Sequence, residues 1–87
     1  MYVVITGGSR GIGAEAVRRF SARGDRVTFL YRKSHEQARA LAAETGAEAV
    51  CCDVADSAAM AAVFAARDPA DLLITCAGIA YAGLVQD

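Results

Sequence analysis

The sequence is poor in cysteine, histidine and proline, and these shortages exclude several classes of protein. Its three cysteines form no Cys-x-x-Cys pair, which fits a reduced chain better than a disulfide-stapled secreted domain. The only histidine is His35, and no set of residues has the spacing of a zinc site, so we expect no metal. One proline and eight glycines exclude collagen-like and low-complexity chains.

The sequence also lacks an excess of one charge and any long hydrophobic run. Nine Lys and Arg residues are balanced by ten Asp and Glu residues, which argues against a nucleic-acid partner. The apolar runs are a few residues long, far short of the roughly 20 that cross a bilayer. Residues 1–6 have no basic segment of the kind that opens a signal peptide. We therefore expect a cytoplasmic protein that binds neither membrane nor nucleic acid.

What the sequence does contain is an alternation of short β-branched runs with longer, alanine-rich amphipathic ones. These runs predict strands at residues 2–6, 27–31, 47–52 and 71–76, and helices at residues 11–23, 35–45 and 58–66. The order βαβαβαβ indicates a parallel sheet with right-handed crossovers. We predict an α/β fold over residues 1–87: a Rossmann-like doubly wound parallel sheet with strand order 3-2-1-4, truncated after the fourth strand.

Local signals predict where the helices begin and end. Gly46 is expected to stop the second helix. Ser34 and Gln37 form a weak capping box at its start, and Asp56 or Ser57 caps the third helix. The residues expected to face the sheet are Ile12, Ala16, Val17 and Phe20, then Ala38, Leu41 and Ala42, then Met60, Val63 and Phe64.

A glycine-rich segment, Thr-Gly-Gly-Ser-Arg-Gly-Ile-Gly at residues 6–13, joins the first strand to the first helix. Free N–H groups and the positive end of the helix dipole attract a pyrophosphate at such a junction. Gly7 can make the sharp turn, Gly11 allows close approach to the main chain, and Gly13 allows the helix to pack closely on the strand. The predicted binding residues of this loop are Gly7, Ser9, Arg10, Gly11, Ile12 and Gly13.

Other interpretations of the loop are less satisfactory. A Gly-x-Gly-x-x-Ala frame beginning at Gly11 would place residues 7–10 at the end of the strand, where their composition is poor. A P-loop needs Lys-Ser or Lys-Thr after its last glycine, and here Ala14 and Glu15 follow. A simple cluster of turn glycines remains the structural alternative.

Three motifs, in correct order and spacing, closely resemble those of the short-chain dehydrogenase/reductase family. They are Thr-Gly-x-x-x-Gly-Ile-Gly at residues 6–13, Cys-Asp-Val at 52–54 and Thr-Cys-Ala-Gly at 75–78. The likeness covers essentially the whole chain, and residues 3–13 look most like bacterial 3-oxoacyl-carrier-protein reductases. It implies that Asp53 and Val54 meet the adenine and that Ala77 and Gly78 shape the path of the cofactor. Asp53 as an ordinary turn residue is the alternative.

The chain departs from the family at two places. The family has Asn where this sequence has Cys76, and usually another where it has Thr75. The family's catalytic Ser and Tyr-x-x-x-Lys lie beyond the fourth strand, and neither Tyr31 nor Tyr81 has a lysine four residues later. The resemblance therefore implies no catalytic residue within 1–87 and no turnover by this chain alone.

The end of the second strand predicts the preferred cofactor. NAD-selective sites usually carry an acid there, whereas this chain has Arg32, Lys33 and Ser34. A guanidinium can bind a 2′-phosphate through two parallel hydrogen bonds, and Arg10 would lie on the same side. We predict NADP(H) in preference to NAD(H); a solvated basic strand end is the alternative.

The favoured function is thus the NADP(H)-binding N-terminal part of an oxidoreductase acting on a carbonyl or alcohol. The alternative is a stand-alone, non-catalytic dinucleotide-binding module or remnant, and a weaker one is another Rossmann class such as a methyltransferase. Cys51 and Cys52 are expected to be packed thiols on opposite faces, and His35 to lie at the surface. The fourth strand is an apolar edge, so we also expect self-association through that edge or its uncovered face.

Overall fold

The computed structural model describes residues 1–7 and 11–75 and contains four strands and three helices in this part of the chain. They are β1 (Tyr2–Thr6), α1 (Gly11–Ala22), β2 (Arg26–Tyr31), α2 (His35–Thr45), β3 (Glu48–Cys51), α3 (Ser57–Ala65) and β4 (Leu72–Thr75). No helix within these ranges is long and apolar enough to cross a membrane. The same ranges contain no cluster of His, Cys, Asp or Glu that could hold a metal ion.

The strands form one parallel sheet in the order β3-β2-β1-β4, which confirms the predicted Rossmann-like topology. The central strand β1 is buried along its whole length, as its uninterrupted apolar run predicts. In register, Val3 lies opposite Val27 of β2 on one side and opposite Leu72 of β4 on the other. Every strand therefore ends at the same edge of the sheet.

Strands β3 and β4 each begin one residue later than predicted, and β3 also ends one residue earlier, whereas Cys76, the predicted end of β4, lies outside the described residues. Ala47 lies before β3, and its N–H donates to the Thr45 hydroxyl at 3.2 Å instead of to a strand. The Cys52 N–H still donates to the Tyr31 carbonyl at 2.8 Å, but the chain turns immediately afterwards. Asp71 precedes β4, and its N–H donates to the Tyr2 carbonyl at 2.8 Å.

Helices α1 and α2 cover one face of the sheet. Val3, Ile5 and Phe29 are fully buried there against Val17 of α1 and Leu41 of α2. Burial of side chains of this size stabilises the fold by about 1.5–3 kcal/mol each. The small core of this domain is concentrated on that face.

The start of α1 corrects one prediction. Ile12 is 66% exposed, whereas Gly13, Ala14 and Val17 are buried. The inward face of α1 therefore begins one residue later than the apolar pattern suggested. Ile12 lies in the first turn of α1, next to the glycine-rich segment, and its apolar character did not determine its position.

The start of α2 corrects the prediction of a capping box. Ser34 occupies the N-cap position, but its side chain makes no capping hydrogen bond, so the predicted capping box with Gln37 is not formed. The Ser34 backbone (φ −84°, ψ 65°) is not extended, and main-chain groups close the first turn instead, with the Ala38 N–H donating to the Ser34 carbonyl at 2.9 Å. Gly46 ends the helix in the left-handed conformation (φ 79°), as predicted.

Helix α3 is less deeply buried than α1 and α2. Met60, Val63 and Phe64 are half-buried, and no residue of 57–65 is fully buried. The Asp56 carboxylate caps the helix by accepting the Ala59 N–H at 3.1 Å. This choice between Asp56 and Ser57 was left open by the sequence.

A chain of hydrogen bonds continues from the end of α3 across three strands. Arg67 donates to both carboxylate oxygens of Glu48, at 3.0 and 2.8 Å. The Thr28 hydroxyl donates to Glu48 at 3.0 Å and lies 2.8 Å from the Tyr2 hydroxyl. Thr28 alternates with the core residues Val27 and Phe29, so this network lies on the face opposite α1 and α2.

Candidate cofactor site

The described residues on either side of the loop between β1 and α1 are glycines with left-handed backbones. Gly7 has φ 73°, a left-handed conformation that favours glycine, and its N–H donates to the Leu30 carbonyl at 2.8 Å. Gly11 opens α1 with φ 64°, is exposed, and has no atom within 4 Å of the position a Cβ would take. Gly13 is buried on the inward side of the helix. The main chain at the N-terminus of α1 is thus open to solvent at Gly11.

Four predicted site residues lie outside the described part of the chain. They are Ser9, Arg10, Ala77 and Gly78. Cys76, which stands where the family has Asn, also lies outside it.

The carboxyl ends of β1, β2 and β3 enclose a cleft of about 360 Å³. Ligand pockets commonly measure roughly 300–1,000 Å³, so the cleft is large enough for part of a nucleotide. Gly7, Arg32, Asp53 and Val54 all line it, and these come from three separate predicted motifs. The remaining lining residues are Leu30, Tyr31, Cys52 and Ala55.

Arg32 and Asp53 contact each other across this cleft. The Arg32 guanidinium nitrogen Nη1 lies 3.8 Å from Asp53 Oδ2. The other carboxylate oxygen, Oδ1, accepts the Ala55 N–H at 2.9 Å, and the Asp53 carbonyl accepts the Asp56 N–H at 2.9 Å. Asp53 is therefore both a turn residue and a residue of the cleft, so the two interpretations offered by the sequence are compatible.

The basic residues after β2 lead into a second recess. Lys33, Ser34 and His35, with Glu36 and Gln37, line a space of about 420 Å³ at the start of α2. Lys33 is exposed, and the Ser34 side chain makes no capping hydrogen bond. Both groups are available to an anion at this position, beside the N-terminal end of a helix dipole.

His35 is exposed, as predicted, but it has a contact that the sequence did not reveal. Its Nδ1 lies 3.2 Å from the Tyr31 hydroxyl, and the two rings meet edge to face with centroids 5.3 Å apart. The pair connects the end of β2 to the start of α2 and so fixes the segment that carries Arg32 and Lys33.

The two adjacent cysteines differ in environment. Cys52 is buried beside the cleft, and its pKa is raised by burial and further by the nearby carboxylates of Asp56 and Asp53. Its thiol therefore stays protonated at neutral pH. Cys51 is exposed, contrary to the prediction that both thiols are packed. Cys51 is the last residue of the edge strand β3 and lies opposite Tyr31.

A family model described as short chain dehydrogenase matches residues 1–87. The chain therefore belongs to the short-chain dehydrogenase family, which confirms the resemblance found in its motifs.

Individual relatives share roughly a third to a half of the aligned residues. The chain is 48% identical over 81 residues to a cyclic-di-GMP-binding biofilm dispersal mediator protein of Escherichia coli K12, covering 93% of this chain and 34% of that protein. It is 36% identical to the 3-oxoacyl-[acyl-carrier-protein] reductase MabA of Mycobacterium tuberculosis H37Rv, covering 88% and 30%. The chain thus spans about a third of the length of these relatives.

Solved structures agree with the fold. The crystal structure of BdcA in complex with NADPH superposes with a TM-score of 0.81 at 47% identity, covering 85% of this chain and 30% of that one. A second structure of BdcA from E. coli superposes with a TM-score of 0.78 at 49% identity, covering 83% of this chain and 38% of that one. A structure described as a betaketoacyl-ACP reductase superposes with a TM-score of 0.79 at 31% identity, covering 90% of this chain and 33% of that one.

Proposed function

We propose that residues 1–87 form the NADP(H)-binding part of a short-chain oxidoreductase, and that they prefer NADP(H) to NAD(H). The observation that carries this proposal is the cleft in which Gly7, Arg32 and Asp53 meet. An NADPH complex of a protein 47% identical to this chain supports it.

Each side of the cleft has its own part in binding. The pyrophosphate lies against the main chain between Gly7 and the N-terminus of α1, where N–H groups and the helix dipole favour negative charge. Arg32 and Lys33 bind the 2′-phosphate. Asp53 and the N–H of Val54 hold the adenine.

The activity of the whole protein is also a proposal. Bound NADP(H) supplies or accepts a hydride, and the substrate is a carbonyl or alcohol compound. The family resemblance implies an acid–base tyrosine and its lysine, and residues 1–87 contain no Tyr-x-x-x-Lys sequence. The 87-residue chain by itself binds the cofactor without turnover.

Calorimetry on the 87-residue chain tests the cofactor preference. NADPH should bind more tightly than NADH, and Arg32→Asp should reverse the order, with the affinity ratio shifting at least ~10-fold because a charge-assisted contact contributes about 1.5–3 kcal/mol. Arg39→Asp is the matched control, since Arg39 is exposed on α2 and does not line the cleft. Equal affinities that neither substitution changes would refute the assignment.

Cyclic di-GMP belongs in the same titration because the E. coli relative is named for binding it. If the cleft is specific for a dinucleotide cofactor, cyclic di-GMP should leave the NADPH isotherm unchanged. Competitive displacement of NADPH would show that the cleft also binds cyclic di-GMP and is not specific for a dinucleotide cofactor.

We also propose that the isolated chain self-associates through a second copy at β4. Within the described ranges β4 pairs with β1 alone, and Leu72 and Leu73 are 37% and 49% exposed. Leu73 stands in register with Val4, on the face opposite α1 and α2, whereas Leu72 is in register with Val3 on the covered face. Leu73→Lys should reduce the weight-average mass in sedimentation more than Leu72→Lys does. A monodisperse parent monomer would contradict this proposal.

A further inference from the structure

The ion pair across the cleft joins two residues that the proposed function assigns to different parts of the cofactor. The proposed function assigns Arg32 to binding of the 2′-phosphate and Asp53 to binding of the adenine. Arg32 Nη1 and Asp53 Oδ2 nevertheless lie only 3.8 Å apart. The end of β2 carries no acid of its own, and the turn after β3 places the Asp53 carboxylate beside it.

The turn after β3 fixes the direction of the Asp53 carboxylate. Its Oδ1 accepts the Ala55 N–H at 2.9 Å, which leaves Oδ2 as the oxygen beside Arg32. The carboxylate is thus held in place whether or not the guanidinium stays. Both side chains are partly exposed, Arg32 by 61% and Asp53 by 45%, so Arg32 is able to leave for another anion.

We propose that Asp53 is a specificity-determining residue that limits the preference for NADP(H), because its carboxylate competes with the 2′-phosphate for Arg32. This inference rests on the proposed function. NADPH must take the guanidinium from Asp53 in order to bind its 2′-phosphate. NADH has no 2′-phosphate, so Arg32 stays paired with Asp53 while NADH is bound.

The ratio of the two dissociation constants isolates this effect. Both cofactors carry the same adenine, so any loss of an adenine contact on changing Asp53 weakens both and cancels in the ratio. The competition for Arg32, in contrast, acts on NADPH and not on NADH. An exposed ion pair of this kind corresponds to about a 1.5- to 5-fold change in an equilibrium constant.

The test measures NADPH and NADH affinities of the full chain in parallel. Asp53→Asn keeps an oxygen that accepts the Ala55 N–H and removes the charge, and we expect it to raise the preference for NADPH by about 1.5- to 5-fold. Asp53→Ser is a second neutral variant that retains a turn acceptor, for use if Asp53→Asn does not fold. Asp56→Asn is the matched control, because that carboxylate caps α3 through the Ala59 N–H, at 3.1 Å, in the same loop.

A background variant separates the pair from the general field of the loop. In Arg32→Gln chains, Asp53→Asn should leave the NADPH to NADH ratio unchanged. A ratio that stays constant or falls in Asp53→Asn, in a parent that does prefer NADPH, overturns this inference and leaves the proposed function standing. An equal rise in Asp56→Asn also overturns it. Equal affinities of the parent chain for both cofactors would overturn the proposed function itself.

Discussion

The contact between Glu48 and Arg67 should determine much of how firmly α3 is held to the sheet. Arg67 donates two hydrogen bonds to the Glu48 carboxylate, and the Thr28 hydroxyl donates a third. In Glu48→Gln, an amide NH₂ replaces one acceptor oxygen and opposes an arginine donor. The Glu48 side chain is 52% exposed, so the pair is screened by solvent, and we expect a loss of about 1 kcal/mol in the free energy of unfolding at pH 7.

The pH dependence of this effect has a definite sign. The pKa of Glu48 is lowered from its ordinary value of 4.5, chiefly by the hydrogen bond from Arg67, while burial opposes the shift and Thr28 supports it. A carboxylate whose folded-state pKa is depressed contributes stability that is fully present above the unfolded-state value and disappears as pH falls through the folded-state value. The difference between the parent and Glu48→Gln should therefore be constant above about pH 5 and shrink below pH 4.5.

Urea unfolding followed by circular dichroism measures this difference across the pH range. Glu15→Gln is the matched control, because Glu15 pairs with Arg19 at 2.8 Å on an exposed helix surface and should contribute no more than about 0.5 kcal/mol. The reasoning is refuted if Glu48→Gln equals the parent at pH 7, or if the difference between them grows on acidification.

Three further predictions concern the helix end, the thiols and turnover. Gly46→Ala should lower the free energy of unfolding, measured in urea, by about 1 kcal/mol, because a φ of 79° disfavours a side chain even where no atom lies within 4 Å of the added Cβ. Gly46→Asn should lower it less, and equal stability of all three chains would contradict this prediction. Maleimide at pH 7 should modify exposed Cys51 well before Cys52, whose burial raises its pKa, as measured site by site in a mass spectrometer; faster labelling of Cys52 would contradict this. The purified chain should oxidise no NADPH above background in the presence of a carbonyl substrate, and absorbance at the nicotinamide band would reveal any exception.

Much of the architecture could be predicted from local patterns. The unbroken apolar run at Tyr2–Thr6 predicted a strand buried on both faces, and glycines at positions 7 and 46 predicted two of the places where the described backbone is left-handed. These features depend on the chemistry of a few consecutive residues. Parallel topology then brings Gly7, Arg32 and Asp53 to one edge, so their proximity was also predictable.

What the sequence could not supply were the partners of individual polar side chains. Arg67 finds Glu48 only because α3 returns across the sheet, and the pairing of Arg32 with Asp53 depends on side-chain directions at adjacent strand ends. Ile12 was placed wrongly because an apolar residue in the first turn of a helix can lie beyond the covered part of the sheet. In each case the contact joins residues that are far apart in the sequence, or it depends on which residues the fold places opposite the side chain.

The position of β1 also affects the order in which the chain can fold. Val3 of β1 pairs on one side with Val27 of β2, which is near in sequence, and on the other side with Leu72 of β4, the last of the described strands. Contacts that close such a long loop form slowly. The layer of β1, β2 and β3 with α1 and α2 can therefore assemble while one edge of the most apolar strand is still open. During that interval β1 is the segment most exposed to pairing with another chain, and docking of β4 closes it.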